Sequence, residues 1–298
     1  MFRYEIAQPL WMDRACVLGL LGLTMVAATP ALSQDPPPQF NPPKSYYLSL
    51  GDSLAYGFQS FKFAEGLPLS AYNTGYTDVF GAQLQQIRPG IITVNYGCPG
   101  ESTESFVSTA PVPCIWTKTG HPLHDSYSGS QLQAALTFLR AHPGQVSPVT
   151  LSLSSNDFAP KLLDPCQFDP ACIQEHAAGF IADVSNRISA ILGQLRSAAP
   201  DAEIILIGDP DTFIDALSFA DPLFQGLNLS MAQAAAANRV RFADPFPVFN
   251  PQGDLTAEVQ ALCTFTLLCR DHDSHPSDAG YRALAGVIFD ASDYIRFQ

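Results

Sequence analysis

Short apolar strands alternate with amphipathic helices along this chain, and this alternation constrains the fold more than any other feature. Five segments rich in β-branched and aromatic residues predict strands, over residues 45–48, 91–96, 149–153, 203–209 and 240–244. Segments whose apolar residues have helical spacing follow these strands, over residues 76–87, 131–140, 172–198, 230–238 and from the Pro-Ser-Asp stretch at 276 to about 291. Strands separated by helices pair in parallel within one sheet. The near-continuous apolar run at 203–207 further predicts a sheet covered on both faces.

The first 33 residues are typical of an export signal. Arg3 and Arg14 precede an apolar run over 15–28, and small residues at 31–33 favour cleavage before Gln34. A retained membrane anchor is the alternative, but the run is short for a span and no second long apolar run follows it. We therefore expect a signal peptide over 1–33, a proline-rich leader over 34–44 and one domain over 45–298, secreted or periplasmic.

The charge of the chain restricts its partners. The formal net charge is −13, and no lysine or arginine cluster offsets it. Such a surface argues against nucleic acids and anionic lipid headgroups as partners. We expect a monomer with no nucleic-acid partner and no stable membrane anchor after cleavage.

Six cysteines remain beyond the signal segment, and an even number in an exported chain indicates disulfides. Their order suggests three local loops, although sequence alone leaves other pairings open: Cys98–Cys114, Cys166–Cys172 and Cys263–Cys269. Zinc is the competing interpretation, but the spacings lack histidines at finger distance. We expect no metal.

Small and polar residues follow three of the predicted strands. Ser53 follows the first strand after Gly51 and Asp52, where a helix begins, so it is either an N-cap or a nucleophile whose own N–H can bind an oxyanion. Gly100 follows the second strand and Asn156 the third. Because the carboxyl ends of parallel strands share one edge of a sheet, these residues should lie near one another.

A histidine near the C-terminus completes the set. His275 alone among the histidines has carboxylates two and four residues upstream, Asp273 and Asp271, and a helix start directly behind it. We expect it in a loop ahead of that helix. A serine, a base, an orienting group and oxyanion donors are what acyl transfer by a serine requires.

The aromatic stretch over 57–75 precedes the first long helix. Its glycines and prolines argue against a regular element, so we expect a loop over the mouth of a site that supplies an apolar wall. Packing of this loop on the core is an equally good interpretation.

These blocks resemble the SGNH (GDSL-type) hydrolases. The similarity rests on Gly51-Asp52-Ser53-Leu54, the Gly100 loop, Ser155-Asn156-Asp157 and Asp273-Ser274-His275-Pro276, and it spans residues 45–290. It implies a flavodoxin-like three-layer α/β/α sandwich. It also implies that Ser53 is the nucleophile, that His275 is the general base and then acid, and that Ser53 N–H, Gly100 N–H and the Asn156 amide form the oxyanion hole. The three cysteine pairs resemble those of secreted bacterial lipases and esterases of this family.

Two departures from the family pattern concern the site. Ser154 stands where the third block usually has glycine, and His272 stands where the family commonly has its acid. Asp273 is the first candidate for the acid and Asp271 the second, while a backbone carbonyl behind His275 would leave a serine–histidine dyad.

The resemblance implies a secreted esterase or lipase that hydrolyses acyl or lipid esters without a cofactor. A carbohydrate acetyl esterase of the same fold and a non-catalytic binding module with a relict site are the alternatives.

Overall fold

Five parallel strands form the centre of the molecule. The computed structural model describes residues 41–108, 116, 119–213 and 217–297; the predicted signal peptide and residues 34–40 of the leader lie outside the described residues. The strands follow the spatial order β2-β1-β3-β4-β5. Their bounds are Tyr46–Gly51 (β1), Ile92–Asn95 (β2), Val146–Ser152 (β3), Ile204–Ile207 (β4) and Arg241–Ala243 (β5). This is the flavodoxin-like order, in which the chain reverses direction across the sheet between β1 and β3.

Helices cover both faces of the sheet. Strand β4 shows why: Ile204 and Leu206 enter one apolar core, while Ile205 and Ile207 enter the other, because successive side chains of a strand point to opposite faces. The first core is closed by α4 (Gln131–Ala141), α5 (Pro170–Ala198) and α6 (Leu217–Ala237). The second is closed by α3 (Tyr76–Ile87) and by the C-terminal helix over 278–292. The predicted three-layer α/β/α sandwich is confirmed.

The stretch over 57–75 differs from the expected loop. It contains a short helix, α2 (Ser60–Ala64), and a 3₁₀-helix, Leu69–Tyr72. Glycine and proline lie at the ends of helical segments here and do not interrupt them. Pro68 directly precedes the 3₁₀-helix, and Gly57 ends the preceding helix, α1 (Ser53–Tyr56), in a left-handed conformation. A punctuated sequence can therefore hold helical turns of four or five residues.

Helix α6 is longer than the predicted helix over 230–238. It begins at Leu217 and carries Pro222 inside it. As the sixth residue of the helix, Pro222 lacks the N–H that would bond to the carbonyl four residues earlier, so the helix continues with that one hydrogen bond missing. The apolar segment before the alanine-rich stretch is thus part of the same helix.

The C-terminal part carries a small second sheet. After α7 (Phe246–Phe249) and α8 (Leu255–Phe265), strand β6 (Thr266–Leu267) pairs antiparallel with β7 (Asp273–Pro276), with the short helix α9 (Leu268–Asp271) between them. His275 therefore lies in a strand and not in a loop. Two- and four-residue strands carry too little periodicity to be predicted from sequence. The C-terminal helix, α10, follows over Asp278–Ser292.

Two disulfides close short loops, Cys166–Cys172 and Cys263–Cys269. Their Cα–Cα distances are 5.5 and 5.2 Å, and both pairs agree with the expected local pairing. Cys98 is also disulfide-bonded, while its expected partner, Cys114, lies outside the described residues. Within the part of the chain that the structure describes, every helix is too short or too polar to cross a membrane.

Candidate active site

The turn after β1 is built around a glycine and a capped helix. Gly51 has φ +131°, and a Cβ there would lie 1.9 Å from the carbonyl oxygen of Ser152, so only glycine fits. Asp52 is the N-cap of α1, since its Oδ1 accepts the Leu54 N–H at 2.9 Å. Ser53 is the first residue of the helix and not its cap. Its hydroxyl is therefore free for chemistry, and its N–H is one of those that lack an intrahelical acceptor.

His275 reaches this serine from the second sheet. Its Nε2 lies 2.9 Å from Ser53 Oγ, and its Nδ1 lies 2.5 Å from Asp273 Oδ1. The carboxylate accepts the Nδ1–H, which leaves the Nε2 lone pair for the serine hydroxyl proton. The ring also packs against Phe58, with centroids 4.7 Å apart. The arrangement joins a hydroxyl, a base and an acid in one line.

The acid beside His275 is strongly held in its charged form. Burial raises the pKa of Asp273, but hydrogen bonds from the His275 side chain and from Ser60, together with the charge of His275, outweigh it, and the pKa lies well below its usual range. The donors are the His275 Nδ1–H, the His275 N–H at 3.1 Å and the Ser60 N–H at 2.8 Å. Asp271 instead pairs with its exposed neighbour Arg270.

Asn156 and Gly100 lie on two loops that are bound to each other and to the serine turn. Asn156 borders the same cavity as Ser53, and its Nδ2 donates to the carbonyl of Glu101 at 3.0 Å. One amide hydrogen is thereby used and the second remains for an oxyanion. Gly100 is exposed at φ +86°, and its loop is held against the serine turn by the Cys98 N–H, which donates to the Gly51 carbonyl at 2.9 Å.

Several polar residues that the sequence did not single out hold this edge of the sheet together. Gln131 clamps Gly51, accepting its N–H at 2.6 Å and donating to its carbonyl at 2.9 Å. Ser155 donates to Asp52 Oδ2 at 2.9 Å, which joins the Asn156 turn to the serine turn. Burial raises the pKa of Asp52 to about 6, although these hydrogen bonds oppose the shift. Such contacts join residues far apart in sequence, so no local pattern reveals them.

A cavity of about 410 Å³ opens beside the serine and the histidine. It runs across the ends of β3, β4 and β5, and its walls are largely aromatic and aliphatic. Six of the lining side chains are Phe158, Leu163, Phe168, Phe213, Phe224 and Phe249. A volume of this size, mostly apolar with a few polar groups at one end, is typical of a small-molecule site.

The stretch over 57–75 contributes less to this cavity than expected. None of its described residues lines the cavity. Phe58 instead packs against the ring of His275. Tyr72 of this stretch belongs to a separate small core with Tyr56 and Trp116, in which the Tyr56 ring contacts both of the other rings. Its role is therefore to support the histidine.

Metal ligands are scarce among the described residues. The one group with three ligand atoms in mutual reach is Cys166, Cys172 and His176. Because the two sulfurs form a disulfide, they offer no thiolate to a metal ion.

Comparison with known proteins places the chain in a family. The model of the GDSL-like lipase/acylhydrolase family matches residues 49–283. A comparison with curated proteins finds no significant match. Among solved structures, phospholipase A1 from Streptomyces albidoflavus NA297 is similar, with 16% identity, a TM-score of 0.55, and 83% of this chain and 99% of that chain covered.

Two further structures are similar at the level of the fold. The extracellular lipase from Streptomyces rimosus has 15% identity and a TM-score of 0.55, over 83% of this chain and 99% of that one. A lipase from a goat rumen metagenome has 16% identity and the same TM-score, over 85% and 99% of the two chains. With a family model that covers most of its length, the chain belongs to the GDSL-like lipase/acylhydrolase family.

Proposed function

We propose that this protein is an exported serine hydrolase that cleaves carboxylic esters of medium-length acyl chains through an acyl-enzyme on Ser53. The observation that carries the proposal is the contact of Ser53 Oγ with His275 Nε2 at 2.9 Å, at the mouth of an apolar cavity of about 410 Å³. Family membership, and the lipases among its structural relatives, support ester hydrolysis as the reaction class. The disulfides support an oxidising compartment.

The reaction follows from the positions of the groups. Ser53 Oγ attacks the ester carbonyl carbon while His275 Nε2 takes its proton, and Asp273 stabilises the imidazolium that results. The oxyanion accepts hydrogen bonds from Ser53 N–H, Asn156 Nδ2–H and Gly100 N–H. Collapse of the tetrahedral intermediate breaks the bond to the alcohol oxygen, which receives the proton from His275. Water, deprotonated by the same histidine, then releases the acid from Ser53.

The cavity favours an acyl chain of several carbons over an acetyl group. A methylene group fills about as much space as a water molecule, roughly 30 Å³, so an acetyl group would leave most of the cavity empty. Buried apolar surface contributes about 0.8 kcal/mol per methylene. We therefore place the acetyl esterase second, on the same serine chemistry.

A chain-length series tests the proposal. p-Nitrophenyl esters from acetate to palmitate are hydrolysed by the wild type, with kcat/KM rising by a factor of ten or more from acetate to about octanoate, and Ser53→Ala removes the activity. A maximum at acetate would move the assignment to an acetyl esterase. No turnover of any ester by a folded wild type would favour the binding module.

A further inference from the structure

One carboxyl group lies in the otherwise apolar part of the cavity. Asp209 directly follows Gly208 at the end of β4, is 4% exposed, and is the only acid among the described residues that line the cavity. The serine and histidine border the same space. A carboxyl group in such a wall is costly unless something compensates for it.

The compensation from the protein is incomplete. Of the described residues, Ser154 alone donates to the carboxyl group, to Oδ2. The backbone of Asp209 is bound to Asn228, which accepts its N–H at 3.0 Å and donates to its carbonyl at 2.8 Å. These two bonds hold the backbone and leave the carboxyl group itself unsatisfied. Oδ1 has no donor from the described residues.

Asp209 Oδ1, the oxygen without a donor from the described residues, is not fully buried in the core. Asp211 Oδ2 and Asp221 Oδ1, close by in the chain, are fully enclosed without a hydrogen-bond partner. Asp209 Oδ1 does not belong to that group, so it retains surface, and the cavity is the space that Asp209 borders.

Three other polar side chains of the wall already donate hydrogen bonds within the protein. Ser155 donates to Asp52 at 2.9 Å, Thr266 donates to the carbonyl of Leu262 at 2.6 Å, and Asn156 donates to Glu101. Asp209, the carboxyl group among the described lining side chains, is the strongest hydrogen-bond acceptor that the wall offers to a bound molecule.

Resting on the function proposed above, we propose that Asp209 is a specificity-determining residue, which accepts a hydrogen bond from a hydroxyl group on the ester arm that fills the cavity. The preferred substrate is an ester with a hydroxylated medium-length arm rather than a plain alkyl arm. A site with an unpaired acceptor discriminates against a ligand that lacks the donor, because the acceptor is then desolvated without compensation.

The hydroxyl group has two possible sources, and the experiment separates them. The first comparison is of p-nitrophenyl octanoate with p-nitrophenyl 3-hydroxyoctanoate and 8-hydroxyoctanoate, which tests for a hydroxyl group on the acyl side. The other compares propyl octanoate with glyceryl monooctanoate by titration of the released acid, which tests the alcohol side. In at least one pair, wild type has a kcat/KM about tenfold or more higher for the hydroxylated ester.

Variants assign that preference to the carboxyl group. Asp209→Leu abolishes the preference and Asp209→Asn, which keeps an acceptor oxygen, retains part of it. Asp290→Asn is the control for the loss of a carboxyl group, because Asp290 is exposed on α10 and does not line the cavity, and its ratio equals that of wild type. Each ratio is measured on one sample, so the fraction of folded enzyme cancels.

Two results would overturn the inference: plain esters preferred by wild type in every pair, or a preference that survives Asp209→Leu unchanged. If a variant does not fold, the wild-type pairs alone decide. Hydrolysis of plain p-nitrophenyl esters in the same assays would leave the proposed ester hydrolysis standing, so the two failures are distinguishable.

Discussion

Asp273 and Asp209 are two buried aspartates that border the same site, and the pKa values of their carboxyl groups are shifted in opposite directions. Asp273 accepts three N–H groups, from Ser60 and from the backbone and ring of His275, and its pKa lies well below the usual range. Asp209 accepts one hydroxyl group, from Ser154, and burial raises its pKa to about 7, with the charges of Asp52 and Asp157 adding to the shift.

The difference shows that donors, and not burial, decide what each carboxyl group can do. Both side chains are shielded from water, at 7% and 4% exposure. The permanently charged Asp273 can hold an imidazole in one tautomer and stabilise its cation. Asp209, which has a single hydrogen-bond donor, can instead take a proton or accept a hydrogen bond from a ligand.

The largest expected effect separates Asp273 from its neighbour Asp271. Asp273→Asn removes the charge that holds the His275 tautomer, and kcat for p-nitrophenyl octanoate falls by about 10⁴. Asp271→Asn is the control, since its carboxylate pairs with Arg270 at the surface, and it stays within a few-fold of wild type. Equal losses in the two variants would refute the assignment of the acid.

A smaller loss is expected at the oxyanion site. Asn156→Ala removes one donor and lowers kcat by about 10²–10³ with little change in KM. Asn238 lies in the turn directly after the end of α6. Asn238→Ala is therefore a control for the loss of a side-chain amide. A kcat for Asn156→Ala equal to that of wild type would exclude the amide from the reaction.

The raised pKa of Asp209 predicts a dependence of stability on pH. The folded protein binds this proton more tightly than the unfolded chain, so the contribution to stability is full below about pH 4 and is lost as the pH rises to about 7. Asp209→Asn, neutral at every pH, should therefore match wild type near pH 4 and exceed it at pH 8 by about 4 kcal/mol. Urea unfolding at both pH values measures this.

The lowered pKa of Asp273 has the opposite sign. Its contribution is present above the unfolded pKa of about 4 and is lost as the pH falls. Asp273→Asn should therefore be less stable than wild type at pH 8, with a smaller difference near pH 3. If both aspartate variants changed stability in the same direction at pH 8, the contrast between the two groups would be wrong.

The smallest effect concerns the single donor to Asp209. Ser154→Ala removes that hydroxyl group, and we expect a loss of about 1–3 kcal/mol of unfolding free energy at pH 8. The loss should shrink near pH 5, where the carboxyl group is protonated in both proteins. A loss independent of pH would indicate packing rather than hydrogen bonding at Ser154.

The sheet and the order of the site residues could be predicted from sequence because both depend on local pattern. Apolar runs such as 204–207 have one reasonable structure in an α/β chain, and residues that follow parallel strands share an edge. The short β6–β7 pair around His275 was missed because four residues carry no periodicity. The support of Asp52 by Ser155 and the environment of Asp209 depend on contacts across 50 to 100 residues, which no local pattern encodes.

The different contacts of Asp273 and Asp271 are also visible only in the structure. Both flank His272, and spacing alone left either acid, or neither, behind the histidine. The strand geometry of β7 turns Asp273 toward the ring, and the helix α9 turns Asp271 toward solvent.

Covalent labelling tests the central claim most directly. A fluorophosphonate reacts with a serine that is activated by a neighbouring base, so wild type should gain the mass of one adduct, which peptide mapping assigns to Ser53. His275→Ala should react far more slowly because the base is absent. An adduct on another serine, or none on a folded wild type, would contradict the assignment of Ser53 as the nucleophile.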